Sequence, residues 1–445
     1  MDIKIRMPEG AAKILEELRR AGYEAYVVGG CVRDSILGRD PQDWDITTSA
    51  LPEQVKAVFR RTVDTGIKHG TVTVLLGGSQ YEVTTYRIDG DYKDGRHPEN
   101  VSFVRELSED LRRRDFTINA MAYSEETGLV DLFEGIRDIQ ERRIRAVGDP
   151  AERFSEDALR IMRAVRFSAQ LGYEIDPATC DAIRRQADGL RRISAERIRV
   201  ELDKLLTSEH PEALRTAYEL GILKEFLPEL VTCMDCGQNN PHHCYTVGEH
   251  IIHAVCAADN DRILRLAMLL HDIGKPLCKT TDEDGTDHFH GHAALSARIA
   301  DQILRRLKYD NDTRGKVVRL VEYHGMDMEY TPESVRRGIV KVGVELFPLL
   351  MKVKQADGAA QSSYRADEKR EQTLRWMALY TEILERGDPL QLSDLAVKGK
   401  DLIAAGMKPS AGLGAVLEEM LDDVLAAPEH NTKEYLMKRF CPTQE

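Results

Sequence analysis

Val27-Val28-Gly29-Gly30-Cys31-Val32-Arg33-Asp34, with Asp43-Trp44-Asp45-Ile46-Thr47 a few residues on, decides how the rest of the chain is read. The apolar run Tyr26 to Val28 predicts a strand. It breaks at Gly29-Gly30, and Cys31 to Leu37 then has helical spacing that ends at Gly38. Such a helix start turns backbone N–H groups outward, where an anionic phosphate can be held without a side chain. Asp43 and Asp45, two apart on an expected second strand, project from one face, ~6.5 Å apart along the chain. Two carboxylates that close repel, and a site keeping both ionised calls for divalent metal. A Gly-Gly or an Asp-x-Asp alone is an ordinary turn or surface pair. In this order and spacing they point to phosphoryl or nucleotidyl transfer.

The chain has 445 residues, too many for one core, so several domains are expected. Its 42% hydrophobic and 31% charged content is that of a soluble globular protein. No apolar segment approaches the ~20 residues that span a bilayer, and the polar N-terminus is no signal peptide. A cytoplasmic protein without membrane contact is expected, and eight scattered cysteines point to reduced thiols. A net charge of −13 argues against bulk electrostatic capture of nucleic acid, DNA included. Residues 101–200 nevertheless hold eighteen Arg and no Lys. Arg offers a planar donor fork suited to phosphates and base edges. Helix-face ion pairs account for about half of these arginines, and the remainder need a use.

Further along, Pro8 to Ala21 is an amphipathic helix with Ile14, Leu15 and Leu18 on one face. Leu51 to Phe59 also reads as helix. Thr71 to Leu76 and Tyr81 to Ile88 read as a hairpin around Gly77-Gly78-Ser79-Gln80. Glu82 lies on the second strand, where it could complete a two-metal carboxylate site. Asp89 to Asn100 reads as a polar, mobile loop. Arg112-Arg113-Arg114 then precede an apolar, helix-like run in which Asp115 and Asn119, four apart, share a face. From Ala151 helices dominate, and Asp157, Arg160, Arg163 and Arg166 fall at successive i+3 steps. That spacing suits either a solvated salt-bridge stripe or, through Asp157 and Arg160, the reading of a nucleobase edge.

A second chemistry begins at His250. An apolar helix ends in His271-Asp272-Ile273-Gly274-Lys275-Pro276, then come His288, His290, His292 and His324, and Asp357 closes the set. Mixed N and O donors of this kind suit a catalytic divalent metal. Cys233-x-x-Cys236 with His242, His243 and Cys244 offers a zinc reading, but its spacing lacks the usual form.

Together these motifs resemble the class II tRNA nucleotidyltransferases, which share their catalytic head with bacterial poly(A) polymerases. The resemblance implies an α+β fold, with a polymerase-β-like nucleotidyltransferase palm followed by all-α regions. It implies a head over 1–150, a helical neck and RNA-binding body over 151–235, an HD domain over 236–360 and a helical tail over 361–445. Gly29, Gly30, Arg33 and Asp34 match the triphosphate motif, Asp43 and Asp45 the Mg²⁺ ligands, and Glu82 the third carboxylate. Arg113, Arg114, Asp115 and Asn119 match the ribose-and-phosphate motif. Asp157 and Arg160 match the protein template that reads incoming CTP or ATP, with Arg163 and Arg166 on further nucleotide-contact positions. His250, His271, Asp272 and Asp357 look like the four ligands of an HD phosphohydrolase domain taking Mn²⁺, Ni²⁺ or Co²⁺. The implied partners are the tRNA acceptor end, CTP and ATP.

Gly66-Ile67-Lys68-His69-Gly70-Thr71-Val72 resembles the tRNA enzymes rather than the poly(A) polymerases, and the Asp89 to Glu99 loop looks complete. Full CCA addition is therefore expected. The alternatives are an A-adding tRNA enzyme, a poly(A) polymerase, and an HD phosphohydrolase with a regulatory nucleotide-binding head.

Overall fold

The computed structural model describes residues 3–89, 101–239, 245–361, 366–409 and 411–441. The chain divides into two compact units, Met1–Pro228 and Glu229–Glu445. Strands concentrate in the first unit and helices fill the second, giving the expected α+β class.

The first unit is built on a seven-stranded sheet. Five of its strands are β1 (Ala25–Val28), β2 (Ile46–Thr48), β3 (Thr62–Gly66), β4 (Thr71–Leu76) and β5 (Ser79–Thr85). They lie in the order β3-β4-β5-β2-β1, and Met121–Ser124 and Gly128–Asp131 complete the sheet beyond β1. Every pairing in it is antiparallel except β2 with β5. Helix α1 (Glu9–Arg20) packs on β1 and buries Ile14, Leu15 and Leu18. Full burial of each such side chain is worth about 1.5–3 kcal/mol. Gly77 and Gly78 both take positive φ, 61° and 83°, the two-residue turn whose twist matches a hairpin. The turn therefore closes at Ser79 and the second strand stops at Thr85, where Tyr86 leaves the sheet; Arg87–Asp89 pairs instead with Val101–Phe103.

Several local expectations shift. Helix α2 spans Gly30–Ile36, α3 spans Pro52–Val58, and β3 had no strand signal in the sequence. The run after Arg112 is not a helix: Leu107–Arg112 ends there, and Thr117–Asn119 is a single 3₁₀ turn. β character also persists past Ala151, where Glu174–Ile175 pairs with Arg143–Ile144. Gly90 to Asn100 lies outside the described residues, and with it nearly all of the expected loop.

In the second unit Val247–Ala257, Arg262–Leu270 and Phe347–Ala359 pack pairwise, and Asn311–Tyr323 packs on the latter two. His292–Arg306 pairs with Asn311–Tyr323. Cys233 is helical, within Pro228–Met234. No described helix is long and apolar enough to cross a membrane.

Candidate functional site

The head site forms around Gly29. This residue holds φ 82° and ψ −129°, a conformation essentially restricted to glycine, and its N–H donates to Met121 O at 3.1 Å. A Cβ there would stand 3.0 Å from Arg114 Nη1. The turn thus ends β1, starts α2 and admits a guanidinium close to the backbone. Arg33, on α2, is buried; its Nη1 donates to Asn119 Oδ1 at 2.6 Å and its Nε to Asp34 Oδ1 at 2.8 Å.

Asp43 and Asp45 are not strand residues. They lie in the chain leading into β2, whose pairing begins at Ile46, and only the Asp45 carbonyl is tied to the sheet, accepting from Val28 N at 3.0 Å. In the parallel pairing Ile46 faces Val83, so one residue back on each strand sets Asp45 beside Glu82. Partial desolvation by neighbouring chain, then Asp45 and Asp43, raise the Glu82 carboxyl, although its side chain remains exposed. Crowding by the surrounding chain and repulsion from Asp43 likewise raise Asp45, with Arg114 opposing. Carboxylates that disfavour one another's charge in this way have the donor chemistry that divalent metal satisfies.

Asp110, which the sequence reading passed over, organises the arginines. It is fully buried and accepts from Arg113 Nε at 2.9 Å, Arg114 Nη2 at 3.3 Å and Thr47 Oγ1 at 3.0 Å. Burial penalises its charge, yet Arg113 and Arg114 outweigh that and hold it below the usual carboxylate range. Its only sequence signal was position, three and four residues before two arginines on a helix end.

Asp115 and Asn119 do meet, Asn119 Nδ2 donating to Asp115 Oδ1 at 3.3 Å, but across an extended residue and a 3₁₀ turn rather than along a helix. Asp115 also takes Arg163 Nε at 2.6 Å. Against the cost of burial, Arg163 brings Asp115 down to about 2.

The i+3 stripe is broken. Asp157 sits between helices Pro150–Glu156 and Leu159–Leu171, where its Oδ1 accepts Leu159 N at 3.0 Å and thereby closes the second helix's start. It also binds Arg197, Nη2 to Oδ2 at 2.6 Å. Arg160, Arg163 and Arg166 remain on Leu159–Leu171, but not as a solvated face. Arg160 and Arg166 are buried: Arg160 donates to Glu156 Oε2 at 2.5 Å and to Arg113 O at 2.8 Å, and Arg166 Nε lies 2.6 Å from Glu201 Oε2.

In the helical unit three helices deliver a second cluster. His250 comes from Val247–Ala257, His271 caps the end of Arg262–Leu270 with Asp272 next, and Asp357 lies on Phe347–Ala359. His250 Nε2 is 3.1 Å from His271 Nε2 and 3.0 Å from Asp357 Oδ1, and Asp272 Oδ2 is 3.4 and 3.3 Å from the two rings. Burial disfavours charge on these rings, yet Asp272 and Asp357 push His271 up to about 10, while Asp272 itself falls well below the usual range. Lys275 Nζ sits 2.7 Å from Asp272 Oδ2. His292 and His324 stand on the other side of Asp272, and His288 instead pairs with Asp282. A cavity of about 650 Å³ opens at His324 and Asp357 and is lined also by Lys354, Gln361 and Lys369. Burial pushes the Lys354 amine down to about 8. Cys233 Sγ donates to Ile273 O at 3.7 Å, whereas His242, His243 and Cys244 of the zinc reading lie outside the described residues.

Comparison with known proteins agrees with this geometry. Family models match in three places: the "Poly A polymerase head domain" over 25–145, the "Probable RNA and SrmB- binding site of polymerase A" over 172–234, and the "HD domain" over 242–380. A CCA-adding enzyme of Levilactobacillus brevis is 37% identical over 430 residues, 96% of each chain. One from Streptococcus suis is 36% identical over 428 residues, 96% of this chain and 94% of the relative. A crystal structure of the Bacillus stearothermophilus CCA-adding enzyme in complex with CTP aligns with a TM-score of 0.73 at 32% identity, covering 97% of this chain and 98% of that one. Full-length relatedness of this order, on a head that sets paired aspartates beside a glycine turn, shows that the chain belongs to the family of CCA-adding enzymes, which are tRNA nucleotidyltransferases.

Proposed function

We propose that this protein completes tRNA 3′ ends by adding C, C and A from CTP and ATP. The β2–β5 register carries the reading, because it sets Asp45 beside Glu82 with Asp43 two residues away. Nucleotidyl transfer of this type uses divalent metal, and the ion assigned to Asp43 and Asp45 is Mg²⁺. When bound, the ions would assist attack of the tRNA 3′-hydroxyl on the α-phosphate and neutralise the departing pyrophosphate. The chain's own residues position the reactants. The Gly29-Gly30 turn, Arg33 and Arg114 hold the triphosphate, with Asp34 fixing Arg33 and Asp110 fixing Arg113 and Arg114. Asp115 and Asn119 form the ribose side.

Asp157 and Arg160 read the base. Each is already partnered, by Arg197 and Glu156, so an incoming C or A exchanges one set of hydrogen bonds for another. A non-matching base would have to break the same pairs without supplying hydrogen bonds in return, which is why discrimination is steep. Arg163 and Arg166, ion-paired to Asp115 and Glu201, act on the nucleotide as braces of this network. Arg160→Ala is expected to blur nucleotide choice about tenfold or more while lowering turnover with the best substrate less. Equal loss of CTP and ATP incorporation, with UTP and GTP still excluded, would remove Arg160 from the template.

In the same reading residues 1–150 are the head, 151–235 the neck and RNA-binding body, 236–360 the HD domain and 361–445 a helical tail. The HD cluster is assigned metal-dependent hydrolysis of phosphomonoesters or cyclic phosphodiesters with Mn²⁺, Ni²⁺ or Co²⁺. The adjoining cavity with Lys354 and Lys369 supports it. The protein acts in the cytoplasm. One experiment separates the readings: tRNA transcripts lacking CCA, or ending in C or CC, are incubated with labelled CTP, ATP or both, and the ends are sequenced. Ends at CCA are expected. A alone would identify an A-adding enzyme, a long A tract a poly(A) polymerase, and no extension would leave the HD half as the protein's chemistry. No hydrolysis of 2′,3′-cyclic phosphates or phosphomonoesters with any of the three metals would leave the HD domain structural.

A further inference from the structure

We propose that Phe167 is a positioning residue for the nucleotide triphosphate, its ring holding the Arg33 guanidinium in place beside the glycine turn. The inference rests on reading Arg33 as a triphosphate ligand and adds a residue that this reading leaves unused.

Phe167 lies on Leu159–Leu171, the helix that also carries Arg160, and is only 4% exposed. Three guanidiniums surround its ring: the Cζ atoms of Arg166, Arg33 and Arg163 stand 3.8, 5.2 and 5.3 Å from the centroid. All three fall within the ~6 Å over which a ring's negative face attracts a cation. Phe116 meets the same ring edge to face, with centroids 5.8 Å apart and planes at 80°. That contact holds the ring's tilt from outside the helix.

The three arginines each have a carboxylate of their own. Arg33 binds Asp34, Arg163 binds Asp115, and Arg166 lies beside Glu201. Asp34 takes Nε and Nη2 of Arg33 on a single oxygen, Oδ1, both at 2.8 Å, so the plane of the fork can tip about that atom. Like charges are meanwhile crowded. Burial first, then Arg163 and Arg33, push the Arg166 guanidinium down to about 10, with Glu201 opposing. A ring shared by all three offsets that repulsion without bringing another charge into the interior.

Arg33 is the member of the trio that reaches the turn. A Cβ on Gly30 would stand 3.8 Å from its Nη2, so the fork lies against the Gly29-Gly30 backbone. Among the described residues Arg33 commits Nη1 to Asn119 and its Nε edge to Asp34. A guanidinium has N–H donors beyond these, and one on each terminal nitrogen remains for phosphate oxygens. They meet a phosphate squarely only while the plane is held. Phe167 supplies that hold from the helix that reads the base, so base and triphosphate are gripped against one shared wall. An aliphatic side chain of similar size would fill the space without attracting the cation.

On the full chain, CTP affinity is measured by calorimetry and cytidine affinity by ligand-observed nuclear magnetic resonance. The variants are Phe167→Leu and a chain with trifluorophenylalanine in place of Phe167, which keeps the ring's shape while draining its negative face. Both are expected to weaken CTP binding about fivefold, the loss of one partly desolvated cation–π contact, and to leave cytidine, which has no phosphate, within about twofold. Phe167→Tyr should restore the parent affinity. In the Arg33→Gln background, itself weaker for CTP, neither change should have a further effect. Unchanged CTP affinity on fluorination would overturn the proposal, and so would equal losses for CTP and cytidine, the mark of a merely structural ring. If Arg33→Gln leaves CTP affinity unchanged, the triphosphate reading of Arg33 falls and the proposal with it. The fluorinated chain decides the matter even where Phe167→Leu fails to fold.

Discussion

Asp110 and Glu82 are carboxylates of one site held with opposite consequences for stability. Burial works against the Asp110 charge, but the two guanidiniums it binds win, and its acidity is greater in the folded chain than in the unfolded one. Its contribution is therefore present above the ordinary carboxylate range and is lost as pH falls through the lowered value. Asp110→Ala is expected to destabilise the first unit by about 3–5 kcal/mol in urea unfolding, because two partly buried arginines lose their anchor. It should also raise KM for CTP and ATP alike; an unchanged KM would show that Arg113 and Arg114 are held by other contacts. Glu82 has the reverse sign. Partial desolvation and its aspartate neighbours raise it, so its ionised form costs stability as pH climbs through the carboxylate range. Metal-free Glu82→Gln should accordingly melt about 1–3 °C higher than the parent at pH 8, with the gap closing toward pH 4. Adding Mg²⁺ should stabilise the parent more than the variant. Calorimetry with and without chelator checks both, and a variant that melts lower in chelator would contradict the repulsion.

At the scale of elements the strand–glycine–helix turn is the most demanding piece. Gly29→Ala forces a Cβ into a backbone region that L residues avoid and against Arg114. Strain of about 1–3 kcal/mol is expected, seen as a lower melting temperature, together with weaker triphosphate binding. A variant with unchanged CTP affinity would mean that Arg114 does not hold the triphosphate. The elements also show where periodicity misleads. Helix α1 was legible because Ile14, Leu15 and Leu18 fall on one helical face and nothing competes. Asp157 fits an i+3 stripe equally well, yet its side chain caps the next helix by accepting Leu159 N, and capping requires non-helical backbone. Asp43 and Asp45 alternate like strand residues, but pairing with β1 and β5 starts only at Ile46.

At the scale of the whole molecule, the two chemistries proposed fall in separate units, and single substitutions should separate them. Asp43→Ala is expected to abolish nucleotide incorporation with tRNA binding and hydrolysis retained. His271→Asn should abolish hydrolysis and leave CCA addition within about twofold. Loss of both activities in either variant would mean that the sites are coupled. Motif order alone determined much of this protein. A glycine break before a helix, paired aspartates, an arginine-rich middle and a His-Asp helix end were enough for the α+β class and the family, and they supplied the residues proposed for the chemistry. These are local patterns, fixed by backbone sterics and by the spacing that the chemistry requires. Only the tertiary structure decided which groups neutralise one another. It buried Asp110 beneath two arginines, gave Asp157 to Arg197 and Arg166 to Glu201, and left one oxygen of Asp272 facing two histidines. Apart from Asp110, whose arginines lie three and four residues on, those pairings join residues distant in sequence, and the cost of burying a charge acts only once packing has excluded water, so local pattern does not encode them.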